Sequence, residues 1–387
     1  MSKVQEISHY DSFLFARTAY FSRQKKMSDS GKLTELSALG EFGLIDQLTK
    51  NIPIHNKSTV KGIGDDAAVI KPAAGKQMLV SKDLLIEGVH FDLMYMPLKH
   101  LGYKAAVVNF SDIAAMNGIP KQIVVGIGVS SKYTVEALEE VYAGIKKACE
   151  VYKVDFVGGD TTSSVAGLFI SVTVIGEAKK ENITYRSGAQ VNDLLCVTGD
   201  LGAAYMGLLI LEREKKVFQA NPNMQPDLSD HDYILERQLK PEARIDMVRL
   251  FADENIVPTA MIDISDGLAS EALHLCKNSD KGCLIYEEKI PIDQDTYDTA
   301  KEFGIVPTVA ALNGGEDYEL LFTVKQADYD KIKNSQDITV IGYITDKTEG
   351  TQLMTTDNHL FELKAQGWDA LKKRDLEIPG SDKKSSD

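Results

Sequence analysis

The chain has little cysteine: four residues in 387, namely Cys149, Cys196, Cys276 and Cys283, with no C-x-x-C pair. All four sit in or beside apolar segments, so packed free thiols in a reducing cytosol are expected rather than a disulfide framework. No His/Cys cluster has zinc spacing. No apolar run is long enough to span a bilayer. Residues 1–26 lack the continuous apolar core and small-residue cleavage site of a secretory signal. Positive charge is also scarce: 43 Lys and Arg against 57 Asp and Glu give a formal net charge of -14. That balance argues against nucleic acid and against an anionic membrane surface. It would repel a bare polyphosphate too, so a phosphate ligand would have to arrive as a metal complex. There is no G-x-x-x-x-G-K-[ST], which removes a P-loop. GIGDDA at Gly62–Ala67 has the outline of a dinucleotide turn. It opens onto AVIKP, too short and too β-branched for the helix such a turn must begin.

What is present reads as an ordinary globular protein, 43% hydrophobic and 26% charged, long enough for two α/β domains. Apolar spacing predicts helices over 39–52, 97–117, 134–152, 201–214, 230–239, 242–254, 266–279, 293–303 and 326–334. Strands are expected at AAVIKP, 77–91, 121–130, before and after the Gly158-Gly159-Asp160 step, and at 193–200, 259–265, 282–291, 316–324 and 337–345. The Gly-Gly-Asp step is read as a turn. Residues 217–230 are polar and carry prolines, which predicts a surface loop. The expected layout is an N-terminal extension over 1–38, disordered in part, with Met27 as an ordinary start. A first domain over 39–182, a second over 183–372 and a charged, disordered tail over 373–387 follow.

Paired carboxylates dominate two turns, GIGDDAAVI at Gly62–Ile70 and MIDISDGL at Met261–Leu268. Each of Asp66, Asp83, Asp112, Asp160, Asp263 and Asp266 has a structural explanation when taken singly, as a cap, a turn or a buried hydrogen-bonded group. Together they all lie at the end of an apolar segment or inside one. Crowded like charges are costly without a cation between them. The simplest partner for an oxygen cluster is a hard divalent ion, and magnesium usually comes with phosphates. Asn109 and Asp112 share one face of an otherwise apolar helix. Gly158-Gly159 and Gly314-Gly315 allow a ligand or another backbone to come close. Arg186 is a linker cation or a phosphate clamp. His90 reads from composition as a core or surface histidine.

The segments GEFGLI at Gly40–Ile45, GIGDDAAVI, VSKDLLIEGVHF at Val80–Phe91, KAAVVNFSDIAAMNG at Lys104–Gly118, VGGDTT, YRSGA, MIDISDGL and NGGEDYELLFTV at Asn313–Val324 occur in an order and spacing that resembles the thiamine-monophosphate kinases. The likeness runs from about Gly40 to Trp368. It implies ATP-dependent phosphorylation of thiamine monophosphate to thiamine diphosphate in a cytoplasmic homodimer. It also implies the two-domain fold of aminoimidazole ribonucleotide synthetase, its N-terminal domain forming a dimer-interface β-barrel before a C-terminal α/β domain. By resemblance, Asp66, Ser81, Lys82, Asp83, Asp112, Asp160, Asp263 and Asp266 form the magnesium set. Gly159, Arg186 and Ser265 contact the nucleotide, and His90, Glu316 and Trp368 the thiamine moiety. Asp112, Arg186 and Asp266 carry the catalysis. Tyr142 is a candidate to stack on adenine. Lys82 departs from the threonine usual in that step, and its effect on a metal site stays open. Two rival readings are another ATP-using synthetase of the same superfamily and a non-catalytic magnesium-nucleotide sensor. For a selenophosphate synthetase, the reactive cysteine near a Gly-rich N-terminal segment is missing.

Overall fold

The computed structural model describes residues 34–63 and 67–366. Asp66, Trp368, the extension and the tail after Lys372 lie outside the described residues.

The first half begins with α1 (Gly40–Thr49) and a small antiparallel pair, β1 (Thr59–Lys61) and β2 (Val69–Ile70). It continues with β3 (Lys76–Ile86), α2 (Leu98–Ala115), β4 (Ile119–Val129), α3 (Val135–Tyr152), β5 (Asp155–Ser163) and β6 (Leu168–Lys179). The four long strands form one sheet in the order β3-β6-β4-β5, parallel only between β4 and β5. Two helices, α2 and α3, cover one face. Almost the whole of α2 is buried, from Leu101 to Ala115, as expected of a helix apolar on all sides. Close crossing with α3 needs glycine: a Cβ on Gly102 would lie 1.9 Å from the Val141 carbonyl, and one on Gly144 1.9 Å from that of Lys99. Thr134 starts α3 by accepting a hydrogen bond from the Ala137 amide.

The second half contains β7 (Leu194–Thr198), α4 (Ala203–Ala220), α5 (Asp232–Leu239), α6 (Ile245–Asp253), β8 (Ala260–Asp263) and α7 (Leu268–Ser279). Then come β9 (Gly282–Tyr286), α8 (Gln294–Glu302), α9 (Pro307–Asn313), β10 (Leu320–Val324), α10 (Tyr329–Ile332), β11 (Ile338–Thr345), β12 (Thr351–Met354) and β13 (Leu360–Glu362). Its sheet runs β13-β12-β9-β11-β7-β10-β8, antiparallel except for β12 beside β9. Strands β8 and β10 are buried on both faces, which is why AMID and LLFTV are apolar with few alternations. α2 packs against β8, and one apolar core runs through both halves.

Several expectations need correction. The Gly158-Gly159-Asp160 step is not a turn, because β5 runs straight through it. The register against β4 shifts at Ile123/Val124, leaving Val157 as the extra residue of a bulge. A Cβ on Gly159 would sit 2.1 Å from the Val125 carbonyl, so the neighbouring strand itself calls for glycine there. α4 extends to Ala220, taking in residues read as loop. The helix read at 326–334 is a short 3-10 segment, Gln326–Asp328, followed by the single turn of α10. α9 lies outside every expected helix; its Pro307 occupies the first helical turn, where no amide is needed. β12 and β13 are short strands beyond the last one expected. The four-stranded sheet is open, and the described residues contain no closed barrel.

Candidate active site

A cleft of about 720 Å³ lies between the halves. Asp83 reaches it from β3 and Asp112 from the last turns of α2. Asp263, the final residue of β8, comes from the other half, with Ser265 and Asp266 in the turn that follows. His90, in the loop after β3, and Glu316, before β10, complete the set of expected residues that line it.

The electrostatics are those of crowded carboxylates. Burial, and then the charge of Asp112, push Asp83 up to about 6. Burial, and then Asp112 again, push Asp263 up to about 7. Asp112 is itself raised by burial, against a hydrogen bond from Ser81 and the field of Arg186. Ser111 donates to Asp263 Oδ2 at 2.6 Å. Burial also raises Asp266, and the Arg186 field opposes this. Arg186 therefore acts on three of the cleft carboxylates, Asp112, Asp263 and Asp266, without lining the cleft itself.

Among the described residues no three His, Cys, Asp or Glu side chains close into a group able to hold a metal alone. That is compatible with magnesium, which binds through one or two carboxylates and fills its other positions with water and substrate phosphate. The donors are hard oxygens, and each of Asp112 and Asp263 spends one oxygen on a serine. By donor chemistry the set fits magnesium.

Other expected residues lie elsewhere. Side chains alternate along β3, so Ser81 and Asp83 face α2 while Lys82 faces the opposite side of the sheet. There Lys82 Nζ donates to Ser171 Oγ, so its ammonium is no member of the carboxylate group. Gly159 and Asp160 are exposed on β5 and do not line the cleft. Tyr142 is 4% exposed and its ring stacks on Phe156 at 5.7 Å, which leaves little free face for a base.

Sequence reading missed Lys104 and Gln238. Lys104 is 2% exposed, yet it lines the cleft floor. Its Nζ lies 3.1 Å from Glu316 Oε2 and donates to the Gln238 carbonyl at 2.9 Å. Gln238 Nε2 donates to the same Glu316 oxygen at 2.8 Å. The signal was available: Lys104, Val108 and Asp112 are four apart, a single stripe on one helix face. At the cleft mouth, Lys215 of α4 bridges Asp92 at 2.7 Å and Glu212 at 3.2 Å. His90 Nδ1 accepts the Ile86 amide at 3.0 Å, and burial lowers its pKa against the pull of Glu316, favouring the neutral imidazole.

Residues 64–178 match the family described as AIR synthase related protein, N-terminal domain. The thiamine-monophosphate kinase of Bacillus subtilis is 37% identical over 86% of this chain and all of its own length. That of Aquifex aeolicus is 38% identical over 74% of this chain and 87% of its own. The solved structure of AaThiL complexed with AMPPCP and TMP superposes with a TM-score of 0.67 at 33% identity, covering 88% of this chain and 99% of that one. Similarity at this level, spanning both halves and the cleft between them, places the chain in the thiamine-monophosphate kinase family.

Proposed function

We propose that this kinase transfers the γ-phosphoryl group of ATP to the phosphate of thiamine monophosphate, giving thiamine diphosphate and ADP, in the cleft between its halves. The carrying observation is the trio Asp83, Asp112 and Asp263, drawn from both halves, gathered in one cleft and raised in proton affinity. A solved relative that holds AMPPCP and TMP supports the substrate pair.

An oxygen of the acceptor phosphate attacks the γ-phosphorus in line, and the bond to the β-phosphate oxygen breaks with its electrons leaving on ADP. The nucleophile is ionised at neutral pH, so no strong base and no covalent enzyme intermediate are needed. The obstacle is the approach of two anions. Magnesium, several ions in this reading, would supply charge neutralisation at the phosphate oxygens, held by Asp83, Asp112, Asp263 and Asp266, with Asp66, the Ser81 position and, by family resemblance alone, Asp160 as further ligands. Arg186 contributes the positive field that already reaches Asp112, Asp263 and Asp266. Gly159 and Ser265 are assigned to the nucleotide, and His90, Glu316 and Trp368 to the thiamine moiety. ADP release measured with magnesium, with and without thiamine monophosphate, tests the reading. Release that depends on the acceptor supports it; release that ignores the acceptor, or none at all, overturns it.

The chain is further proposed to work as a homodimer. The uncovered face of β3, an edge strand, carries Met78, Val80, Leu84 and Ile86, of which Val80 is 67% exposed. Apolar faces of that kind are normally covered. A second copy's sheet would complete the barrel that this sheet leaves open. Sedimentation of a Val80→Glu, Leu84→Glu double variant should show monomers; an unchanged dimer would exclude this face. The four cysteines are free and buried, which suits a cytoplasmic protein.

A further inference from the structure

The Lys104–Gln238–Glu316 contact joins the halves at the cleft floor, and the family likeness assigns no role to its first two members. Glu316 is held unusually firmly. Its backbone takes φ 58°, a left-handed conformation uncommon for a glutamate. Its amide donates to the Ser265 carbonyl at 2.7 Å, tying it to the turn that carries Asp266. Both donors converge on one carboxylate oxygen, Oε2, Lys104 at 3.1 Å and Gln238 at 2.8 Å. The other oxygen has no hydrogen-bond partner among the described residues, and the side chain is 33% exposed in a cleft whose lining also includes Tyr318 and His90.

A buried lysine costs desolvation, offset here by the hydrogen bond to the Gln238 carbonyl and the ion pair with Glu316. Here the cation is buried and the anion is left half-presented. The arrangement fixes a carboxylate in space while reserving one oxygen for something else. A fixed carboxylate suits a cationic heteroaromatic ring, the part of thiamine that carries the permanent charge. We infer that Lys104 and Gln238 are positioning residues that orient Glu316 toward the cationic ring of the acceptor. Because Lys104 comes from α2 and Glu316 from the second half, acceptor recognition is complete only when the two halves are docked. This inference rests on the proposed thiamine monophosphate chemistry.

Steady-state kinetics of the full chain tests it, varying thiamine monophosphate and ATP separately. Lys104→Met should raise KM for thiamine monophosphate at least about tenfold while KM for ATP stays within about twofold. Lys104→Arg should restore most of the loss. Glu316→Gln should show the same selective effect, and Lys104→Met added to it should cost little more, since both act through one carboxylate. Gln238→Met, which removes no charge and keeps the backbone carbonyl that accepts from Lys104, should raise the acceptor KM by a smaller factor. It carries the test if Lys104→Met does not fold. An unchanged acceptor KM in Gln238→Met and Lys104→Met overturns the inference, as does full additivity with Glu316→Gln. Wild-type protein that releases no ADP with thiamine monophosphate would instead overturn the function on which it rests.

Discussion

Asp263 and Glu319 sit one strand apart, on β8 and just before β10, both almost wholly buried, yet they live in opposite electrostatic worlds. Glu319 is enclosed by cations: Arg237 at 2.9 Å on one oxygen, Arg244 at 2.7 Å on the other, with Thr198 donating as well. These partners hold its carboxyl below the ordinary value in spite of burial. Asp263 faces Asp112 and has only a serine and the distant field of Arg186, so it is pushed up to about 7. A charge the chain neutralises by itself belongs to the scaffold. Asp263 is left with a second carboxylate as its neighbour, a setting that a cation from outside would relieve. Burial alone does not make that difference, since Asp317 and Glu271 are buried and raised as well.

The sharpest way to break the comparison is to neutralise one member of each set. Asp112→Asn should lower kcat by at least about a hundredfold, because the lost charge acts where the phosphates meet. Its melting temperature should stay the same or rise, since a repulsion is removed. Near-normal turnover would refute the role given to Asp112. Glu319→Gln should do the reverse. It leaves Arg237 and Arg244 buried without their shared partner, at a cost of about 3–5 kcal/mol in a denaturant titration. Turnover per folded molecule should change far less. A variant as stable as the parent would show that the network is not holding the second half together.

A smaller effect separates the two sets by pH. Asp317 lies beside the arginine network, with the Gly202 amide donating to one oxygen and Arg237 3.9 Å from the other. Burial nonetheless dominates and pushes it from 3.8 to about 7. The folded value lies above the unfolded one. Its contribution to stability is therefore complete below about pH 4 and is lost as pH rises through about 7. Asp317→Asn should flatten the fall in stability between about pH 5 and about pH 8, read from urea midpoints. Parallel curves for parent and variant would place the titration elsewhere.

The fold was legible where one element has one strong period. α3 showed its apolar stripe, and β7, β8 and β10 showed runs of apolar residues. It was illegible where backbone contacts from far along the chain decide. Nothing local says that β5 passes through Gly158-Gly159 against the Val125 carbonyl. Seven of the expected site residues, Asp83, His90, Asp112, Asp263, Ser265, Asp266 and Glu316, do line one cleft. Acidic residues ending apolar segments are a strong local cue. Lys104 escaped because a lysine in a helix is usually solvated; only the packing of α2 against the second half buries it.

Lys82 gives the smallest expected effect and the finest test of the same comparison. In sequence it stands between Ser81 and Asp83, inside the carboxylate set by position. In space the two-residue period of β3 turns it to the outer face, where its ammonium bonds Ser171. Its charge still reaches Asp83, where it opposes the upward shift only weakly beside burial and Asp112. A side chain so placed cannot supply or deny a ligand to the cleft. Lys82→Thr should leave the magnesium dependence of ADP release unchanged and stability within about 0.5 kcal/mol. A marked gain in apparent magnesium affinity would mean that the residue at this position meets the metal after all, and that alternation along β3 does not divide the site from the outer face.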